Sequence, residues 1–357
     1  MRKNILKILT LFVFLIGCLT NPINTQAASV TKISGDYTMG NSKYYFVNSV
    51  SNESIIYFCK ADKNGRNETI LCKVNAREIN DPEYMEINGY YENKFYYTII
   101  HYSADSFFGY IDLKKKQIKI TEYPGVDRKI SNSQYILSTA GSLGAECILP
   151  VYAFDAKKNR STLISKYCVS MRVHGNNLYF IQTTSDEIDN ARSTTIGKFN
   201  LKSNKTTTLA KNLTKDLLLS AVSEINKDYV AYTTASNTFK IIEFGKGKKV
   251  VPKDGELYIS VRRKYGIQKP DCYALHIKGN TLTLYGSYKT KGKNDAKKTG
   301  MYKFTLSPTY KIGLYEDGDI EYTNASRFNK FFDDKNFENG GILTVKNGKV
   351  TEILMYP

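Results

Sequence analysis

The chain has 357 residues, of which 51 are lysine or arginine and 34 are aspartate or glutamate, so its formal net charge is +17. A hydrophobic content of 41% is enough for a packed core and excludes wholesale disorder. The chain has three histidines and no tryptophan. Many metal sites and acid–base mechanisms depend on histidine, so this scarcity makes them less expected. Its length is compatible with two domains or with one large all-β domain.

Residues 1–28 have the three-part pattern of a secretory signal peptide. Basic residues open the chain, an almost unbroken apolar run follows at residues 8–16, and a polar stretch then leads to Ala27 and Ala28. The apolar run is too short to span a bilayer, and no later stretch approaches about 18 consecutive apolar residues. The sequence therefore predicts an exported chain with no transmembrane segment after the signal.

The sequence is compatible with either lipid anchoring or secretion after export. The segment Leu15-Ile16-Gly17-Cys18 resembles a bacterial lipobox, in which the cysteine is lipidated and becomes the new N-terminus. Cleavage near Ala27 or Ala28 would instead secrete the chain. In both cases the protein is expected to be extracellular, either secreted or anchored at the cell surface through Cys18.

One strand-and-turn unit recurs along the rest of the chain. Each copy starts with a short aromatic or β-branched run, continues through a second run and a turn rich in Lys, Asn and Gly, and ends in a third run. The spacing is about 47 residues, close to the length of one four-stranded propeller blade. The opening runs are Tyr44–Val47, Phe95–Thr98, Tyr135–Leu137, Leu178–Ile181, Tyr229–Tyr232 and Leu282–Tyr285, with Ile320–Thr323 as a weak seventh copy.

The repeat predicts an all-β fold, with residues 29–357 forming a single β-propeller. Seven four-stranded blades fit the length, six are the alternative, and a pair of β-sandwiches or a β-solenoid would also show short strands. The 28 tyrosines suit the wedge between blade faces. We expect Val30–Ile33 to pair with the last sheet and close the ring, Ser307–Thr309 to form a turn, and residues 210–223 to hold the best candidate for a short helix.

Four cysteines have spacings that suggest two disulfides. Cys59 and Cys72 flank one turn-rich stretch almost evenly, and Cys147 and Cys168 flank another. Residues equidistant from a hairpin turn face each other at about 5 Å, which is within the Cα range of a disulfide. The alternative is that the five cysteines after Cys18 are small buried side chains.

Most of the net charge lies in one stretch. Residues 240–311 hold 17 lysines and arginines and five acids, and the longest spacing between units falls here, so part of this charge is expected on loops. Long loops on a rigid scaffold commonly bind ligands, although a solvated basic loop is an equally good explanation. The candidate ligand-binding residues are Arg262, Arg263, Lys264, Tyr265, Lys289, Lys291, Lys293, Lys297 and Lys298.

Motifs for catalysis, nucleotides or metals are absent from the sequence. There is no G-x-S-x-G elbow, no P-loop, no H-E-x-x-H and no cysteine pattern typical of zinc. The acids Glu316, Asp317, Asp319 and Glu321 could supply oxygen ligands to calcium, but they lack the spacing of a calcium loop and are more simply solvated turn residues. No catalytic residue, metal or cofactor is therefore predicted.

Two segments that close strands carry a family resemblance. They are Gly109-Tyr110-Ile111-Asp112-Leu113-Lys114 and Gly197-Lys198-Phe199-Asn200-Leu201-Lys202. With the aromatic strands, they make the chain similar to exported bacterial β-propeller domains of unknown function, which are distantly similar to the YWTD propellers of lipoprotein receptors and to TolB-like propellers. The resemblance covers nearly all of residues 29–357 and implies the fold. It does not imply a receptor function, because the Tyr-Trp-Thr-Asp motif is missing.

These features predict an exported, non-catalytic binding module at the bacterial cell surface. Its ligand would be an anionic cell-wall polymer or a protein partner, because lysine and arginine clusters suit phosphate- and carboxylate-bearing groups. Nucleic acid is not expected for an exported protein. A propeller-fold enzyme acting on glycans and a structural surface protein are the alternatives.

Overall fold

In a computed structural model, the described residues are 29–50, 54–101, 106–138, 148–186, 193–236, 238–260, 272–293, 295–316, 318–334 and 340–356. Their regular secondary structure is almost entirely β-strand. They fall into two compact units: an N-terminal unit within Met1–Ala140 and Asp155–Arg160, and a C-terminal unit within Gly141–Phe154 and Ser161–Pro357. Within the described ranges, no helix is long and apolar enough to cross a membrane. The predicted signal peptide and Cys18 lie outside them.

Most strands are short, and they follow one another closely; β13 and β25 are the long ones. The first eleven are β1 (Ser29–Lys32), β2 (Tyr37–Met39), β3 (Ser42–Val50), β4 (Ile55–Asp62), β5 (Thr69–Asn75), β6 (Tyr84–Tyr91), β7 (Lys94–Ile100), β8 (Ser106–Asp112), β9 (Gln117–Pro124), β10 (Val126–Ser131) and β11 (Gln134–Leu137). They are followed by β12 (Leu149–Asp155), β13 (Arg160–His174), β14 (Asn177–Thr183), β15 (Thr194–Asn200), β16 (Lys205–Leu213), β17 (Ala221–Ile225), β18 (Tyr229–Thr233) and β19 (Phe239–Glu243). The last nine are β20 (Lys248–Val250), β21 (Gly255–Ser260), β22 (Cys272–Lys278), β23 (Thr281–Gly286), β24 (Lys289–Thr290), β25 (Gly300–Glu316), β26 (Asp319–Thr323), β27 (Gly340–Lys346) and β28 (Lys349–Met355).

Three described segments are helical. Ala76–Ile79 and Lys215–Leu219 are 3₁₀ helices, and α1 (Ala325–Asp334) is an α-helix. The second 3₁₀ helix lies within the predicted segment 210–223. The α-helix was not predicted, because ten residues are too few to show a long helical period. It starts after Asn324, whose side chain accepts a hydrogen bond from the N–H of Arg327 at 2.9 Å.

Strands β1 to β9 of the N-terminal unit form two antiparallel sheets with a shared aromatic core. Strands β3, β4 and β5 pair in order, with β1 and β2 on the free side of β3, and β6 to β9 form a four-stranded meander. The rings of Phe46 and Tyr97, one from each sheet, are 5.4 Å apart and edge-on. Both are completely buried, and each buried aromatic side chain contributes about 1.5–3 kcal/mol. The predicted packing role of tyrosine is therefore confirmed here.

A recurring backbone hydrogen bond confirms the sequence repeat. In each case the acceptor is the carbonyl just before a strand and the donor is an N–H at the end of the next strand's hairpin arm, with distances of 2.8–3.0 Å. Four donors directly follow that next strand, and the fifth, Leu306, lies within the long strand β25. Because the same bond recurs at the same place in the unit, the copies share a structure and not only a composition. The donor–acceptor pairs are Leu113–Asn93, Ala156–Ser133, Leu201–Asn176, Phe244–Asp228 and Leu306–Asn280.

The turns of these units are shaped by one carboxylate or amide at the strand end. The Oδ1 atom of Asp112 accepts from the N–H groups of Lys114 and Lys115, and Oδ1 of Asn200 accepts from those of Lys202 and Ser203, all at 2.9–3.1 Å. Side chains of this type stabilise turns by bonding to their own backbone. The Asp and Asn of the two resemblance segments are therefore turn residues.

The C-terminal unit starts with regular meanders and then departs from them. Strands β13 to β16 form a four-stranded antiparallel run, and β17, β18 and β19 form a three-stranded sheet. The remaining strands share one sheet in the order β22-β23-β25-β28-β27-β21-β24, with β20 and β26 also paired to β25. Strand β25 makes parallel pairs with β20 and with β28. The predicted all-β class is confirmed, and the number of blades stays a prediction.

Two local predictions are wrong. Strand β1 pairs with β3 in its own sheet, with Val30 opposite Ser49, and not with the last sheet. The expected turn at Ser307–Thr309 lies inside β25, where the pairing with β28 shifts register between Leu306 and Lys311. Such an irregularity lets a proline remain in a strand without a ladder hydrogen bond.

The predicted Cys59–Cys72 disulfide is not formed. In the register of β4 and β5, Cys59 lies opposite Ile70 and Cys72 lies opposite Phe58, with a bulge between Phe58 and Cys59. The bulge moves the two cysteines to opposite faces of the sheet. Cys59 and Cys72 are free thiols, and Cys59, Cys72, Cys168 and Cys272 are all buried, as the alternative interpretation expects. Cys147 lies outside the described residues.

Candidate functional site

The candidate site lies on one face of the sheet formed by β22, β23, β25 and β20. The register places His276 opposite Thr283, Thr283 opposite Lys303, and Lys303 opposite Lys249. Residues that are paired across a sheet present their side chains on the same face. The four therefore form one row that crosses four strands, which we call the basic row.

A second row runs beside the basic row. Lys278 is opposite Thr281, and Thr281 is opposite Thr305. Because these positions are two residues away along each strand, they belong to the same face as the basic row. Together the two rows bring three ammonium groups and three hydroxyl groups to one surface.

A cavity of 790 Å³ opens on this face. Lys303 and Thr281 are partly exposed, Lys278 is exposed, and Thr283 is buried. The cavity is lined by Glu243, His276, Ile277, Lys278, Thr281, Thr283, Tyr285, Lys303 and Asn329.

The charges around this cavity are not balanced. In the described part of the chain, no carboxylate makes an ion pair with Lys249, Lys278 or Lys303. The carboxylate that lines the cavity, Glu243, accepts a hydrogen bond from the hydroxyl of Tyr285. The surface therefore carries unpaired positive charge together with hydroxyl donors, which is the combination that holds phosphate or carboxylate groups.

Neighbouring groups hold the scaffold in place. From α1, the side-chain amide of Asn329 accepts from the N–H of Ile277 at 2.9 Å and donates to its carbonyl at 2.8 Å. The ring of His276 lies edge-on to Tyr285, with centroids 5.7 Å apart. Strand β22 is thereby hydrogen-bonded to α1 and packed against Tyr285 of β23.

A second cavity, of 720 Å³, adjoins the first through His276. It follows strand β19, and at its other side Lys240 pairs with Asp216 at 3.1 Å. Its lining is more apolar than that of the first cavity. The residues that line it are Asn212, Leu213, Thr214, Asp216, Tyr232, Thr238, Phe239, Lys240, Ile241, Ile242, Ala274 and His276.

The lysines predicted from the sequence lie elsewhere. Lys291 pairs with Glu256 at 3.1 Å, and Glu256 also accepts from the hydroxyl of Tyr258 at 2.8 Å, so this cation is already neutralised by a neighbour. Lys289 is partly exposed in β24, and Lys293, Lys297 and Lys298 are exposed in the segment that follows. None of these five lines the two cavities described above. Arg262, Arg263, Lys264 and Tyr265 lie outside the described residues.

The candidate site shares the basic stretch 240–311 with the residues predicted from the sequence, but it consists of different lysines. Lys249, Lys278 and Lys303 belong to the basic stretch 240–311, but each lies on or beside a strand and none is in a lysine-rich loop. The signal that could have found them is the alternation within strands, which places His276 and Lys278 on one face. Pairing Lys249 with Lys303 also requires a parallel contact between β20 and β25, which a hairpin repeat does not predict.

A half-buried ion pair in the described part of the C-terminal unit connects two of its sheets. Nε2 of His174, at the end of β13, lies 2.8 Å from Oε1 of Glu224 in β17. Glu224 is 4% exposed and also accepts from the side chain of Asn226 at 3.2 Å. The hydrogen bond to Glu224 raises the pKa of His174 above its usual value. The pair links the sheet of β13 to the sheet of β17.

The predicted acidic cluster shows no metal-binding geometry where it is described. Glu321 pairs with Arg327, and Asp317 lies outside the described residues. Within the described ranges, no three His, Cys, Asp or Glu side chains are close enough together to hold a metal ion.

Comparison with known proteins gives only distant likenesses. No family model and no curated protein matches the chain. Among solved structures, the β-propeller domain of the Trilobed protease from Pyrococcus furiosus is similar with a TM-score of 0.32 and 9% identity, over 83% of this chain and 98% of that one. The acylaminoacyl peptidase of Pyrococcus horikoshii gives 0.28 and 9%, over 92% and 53%. Oligopeptidase B from Leishmania major gives 0.29 and 8%, over 91% and 49%.

The chain spans about half the length of these two peptidases. At such identities and TM-scores, the activity and substrates of the peptidases do not transfer to it.

Proposed function

We propose that this protein is a non-catalytic binding module for an anionic ligand, a polymer or a protein partner, which it holds at the basic row. The observation that carries the proposal is the set of three lysines, Lys249, Lys278 and Lys303, which share one sheet face without an ion-pair partner among the described residues. In the same proposal the chain is exported through residues 1–28, acts at the cell surface, and folds as a propeller of the YWTD-like or TolB-like kind.

Each charge contact at this site should contribute little binding free energy, and the affinity should depend on salt. Exposed charge pairs contribute about 0–1 kcal/mol each, and charges are screened over about 8 Å at physiological ionic strength. A useful affinity therefore requires a ligand with several negative groups. Arg262, Arg263 and Lys264 are proposed, from the sequence, as further contacts for such a ligand.

A glycan-cleaving enzyme would need a different arrangement. Its chemistry uses two carboxyl groups that flank the scissile bond. Among the described residues that line the larger cavity, Glu243 is the one carboxylate. The geometry therefore supports ligand binding better than glycoside hydrolysis.

The test is the affinity for inorganic polyphosphate, measured by calorimetry at low and physiological salt. We expect K278Q/K303Q to weaken binding about tenfold. The slope of log affinity against log salt concentration should become shallower by about one for each lysine removed. The matched control, K291Q/K293Q, removes the same charge from the loop after β24 and should change affinity less than about threefold. Equal losses in both variants would show that only net charge matters, and the site assignment would then be wrong.

A further inference from the structure

The sheet of β17, β18 and β19 has one strand fewer than its neighbours in the repeat. The runs β6 to β9 and β13 to β16 each have four strands, whereas this sheet ends at β19. The cause is the path of the next strand. Strand β20 crosses to the adjacent sheet, where Lys248, Lys249 and Val250 pair in parallel with Tyr302, Lys303 and Phe304. The outer edge of β19 is therefore left without a strand in the described part of the chain.

The hydrogen-bond pattern shows which backbone groups face this edge. The N–H of Thr234 bonds to the carbonyl of Thr238, and the N–H of Phe244 bonds to the carbonyl of Asp228, both at 2.9 Å. In an antiparallel pair the bonded residues alternate, so the even-numbered residues of β19 bond inward to β18. The N–H and C=O groups of Ile241 and Glu243 therefore point outward, and no backbone partner for them lies among the described residues.

Space is present along this strand. The 720 Å³ cavity is lined by each residue from Thr238 to Ile242, and the 790 Å³ cavity continues at Glu243. His276 lines both, so together they follow β19 from end to end. Five residues of extended chain are about 17 Å long, and an added strand lies about 4.8 Å from its neighbour. The geometry suits one extended segment.

The charge beside this edge selects the chemistry of the segment. Beyond Glu243, the cavity is lined by Lys278 and Lys303, which have no ion-pair partner among the described residues. An acidic side chain on the added strand would reach these ammonium groups, whereas a basic one would be repelled.

We infer that the anionic ligand of the proposed function is an extended acidic segment of a partner polypeptide, which pairs with the outer edge of β19. This inference rests on the proposed function and adds main-chain hydrogen bonds to it. The outward groups of Ile241 and Glu243 bond to the backbone of the segment, and its carboxylates lie against Lys278 and Lys303. Strand addition of this kind takes affinity from the main chain and specificity from the side chains.

The experiment uses the full chain and three probes in calorimetry. The first is a capped heptapeptide of alternating Glu and Val. The second and third are the same peptide N-methylated on one or on the other set of alternate residues. Only one set can donate to β19, so we expect one methylated peptide to bind about tenfold or more weakly and the other to bind like the parent. Equal affinities of the three peptides, or no binding of the parent, would overturn the inference.

A protein variant tests the same edge from the other side. Ile241→Pro removes an outward N–H and leaves the inward ladder to β18 intact, while Ile241→Ala controls for the loss of the side chain. We expect Ile241→Pro to weaken the peptide several-fold more than Ile241→Ala and to leave inorganic polyphosphate binding unchanged. If polyphosphate binding still requires Lys278 and Lys303 but peptide affinity is unchanged by Ile241→Pro and Ile241→Ala, strand addition is wrong and the anion site remains. If neither ligand depends on these lysines, the proposed function itself fails.

Discussion

An aromatic ring occupies the position that a Cβ atom on Gly197, in β15, would take. The glycine lies opposite Phe180 in β14, and a Cβ built on Gly197 would be 2.3 Å from Cζ of that ring. Phe180 is 1% exposed, so its ring has no free space to enter. In the equivalent place of the N-terminal unit, Gly109 lies opposite Tyr97 with the same 2.3 Å approach. The glycine of the repeated segment is therefore explained by a ring that packs over it.

Gly197→Ala should destabilise the C-terminal unit by about 1–3 kcal/mol, the usual cost of overpacking a core. Reduced freedom of the unfolded chain offsets about 0.4–1 kcal/mol of this. For a unit of this size, each kcal/mol lowers Tm by roughly 2–4 °C. Gly300→Ala is the matched control, because its Cβ would be 3.6 Å from the nearest atom, an ordinary contact.

The assay is urea unfolding of both variants, followed by a double-mutant cycle with Phe180→Leu. The smaller side chain should recover part of the loss caused by Gly197→Ala, so the two changes should be non-additive. If Gly197→Ala is as stable as Gly300→Ala, or if the two changes are simply additive, the contact between ring and glycine does not determine this position.

Three further predictions concern single groups. Glu224 raises the pKa of His174, so the pair stabilises the fold fully below about pH 6.5 and less as the pH rises through the raised pKa. The free energy of unfolding in urea should therefore fall over this pH range in the wild type and not in His174→Gln. Burial raises the pKa of Cys59 to about 12 and that of Cys72 to about 11, so both should resist a thiol reagent at pH 8 in the native protein. Both thiols should react after unfolding without reductant. If neither reacts, the two cysteines form a disulfide after all. Lys291→Gln should change stability by less than about 1 kcal/mol, because its partner is on the surface, and a larger loss in urea unfolding would contradict this.

The sequence predicts the class and the repeat because both depend on local patterns. Alternating apolar residues and turn signals determine strands, and Asp112 and Asn200 shape turns within their own segments. The course of β20 is different, because it depends on a parallel contact with β25, more than 50 residues away. A hairpin pattern carries no information about such a contact.

The candidate site shows the same division. Composition located the basic stretch, because charge density is readable along the chain. Which lysines meet depends on register, and a shift of one residue moves a side chain to the other face. Register also explains why the Cys59–Cys72 prediction is wrong. The turn places Cys59 opposite Ile70, and the bulge then places Cys72 opposite Phe58, on the other face of the sheet.

The most direct test of the basic row is a crystal structure of the chain grown with inorganic triphosphate. Density for the anion between Lys278 and Lys303, within hydrogen-bond distance of the hydroxyl of Thr281 or Thr283, is the predicted result. Density only at Lys293, Lys297 and Lys298, or no ordered anion at concentrations that saturate binding in solution, would contradict the account.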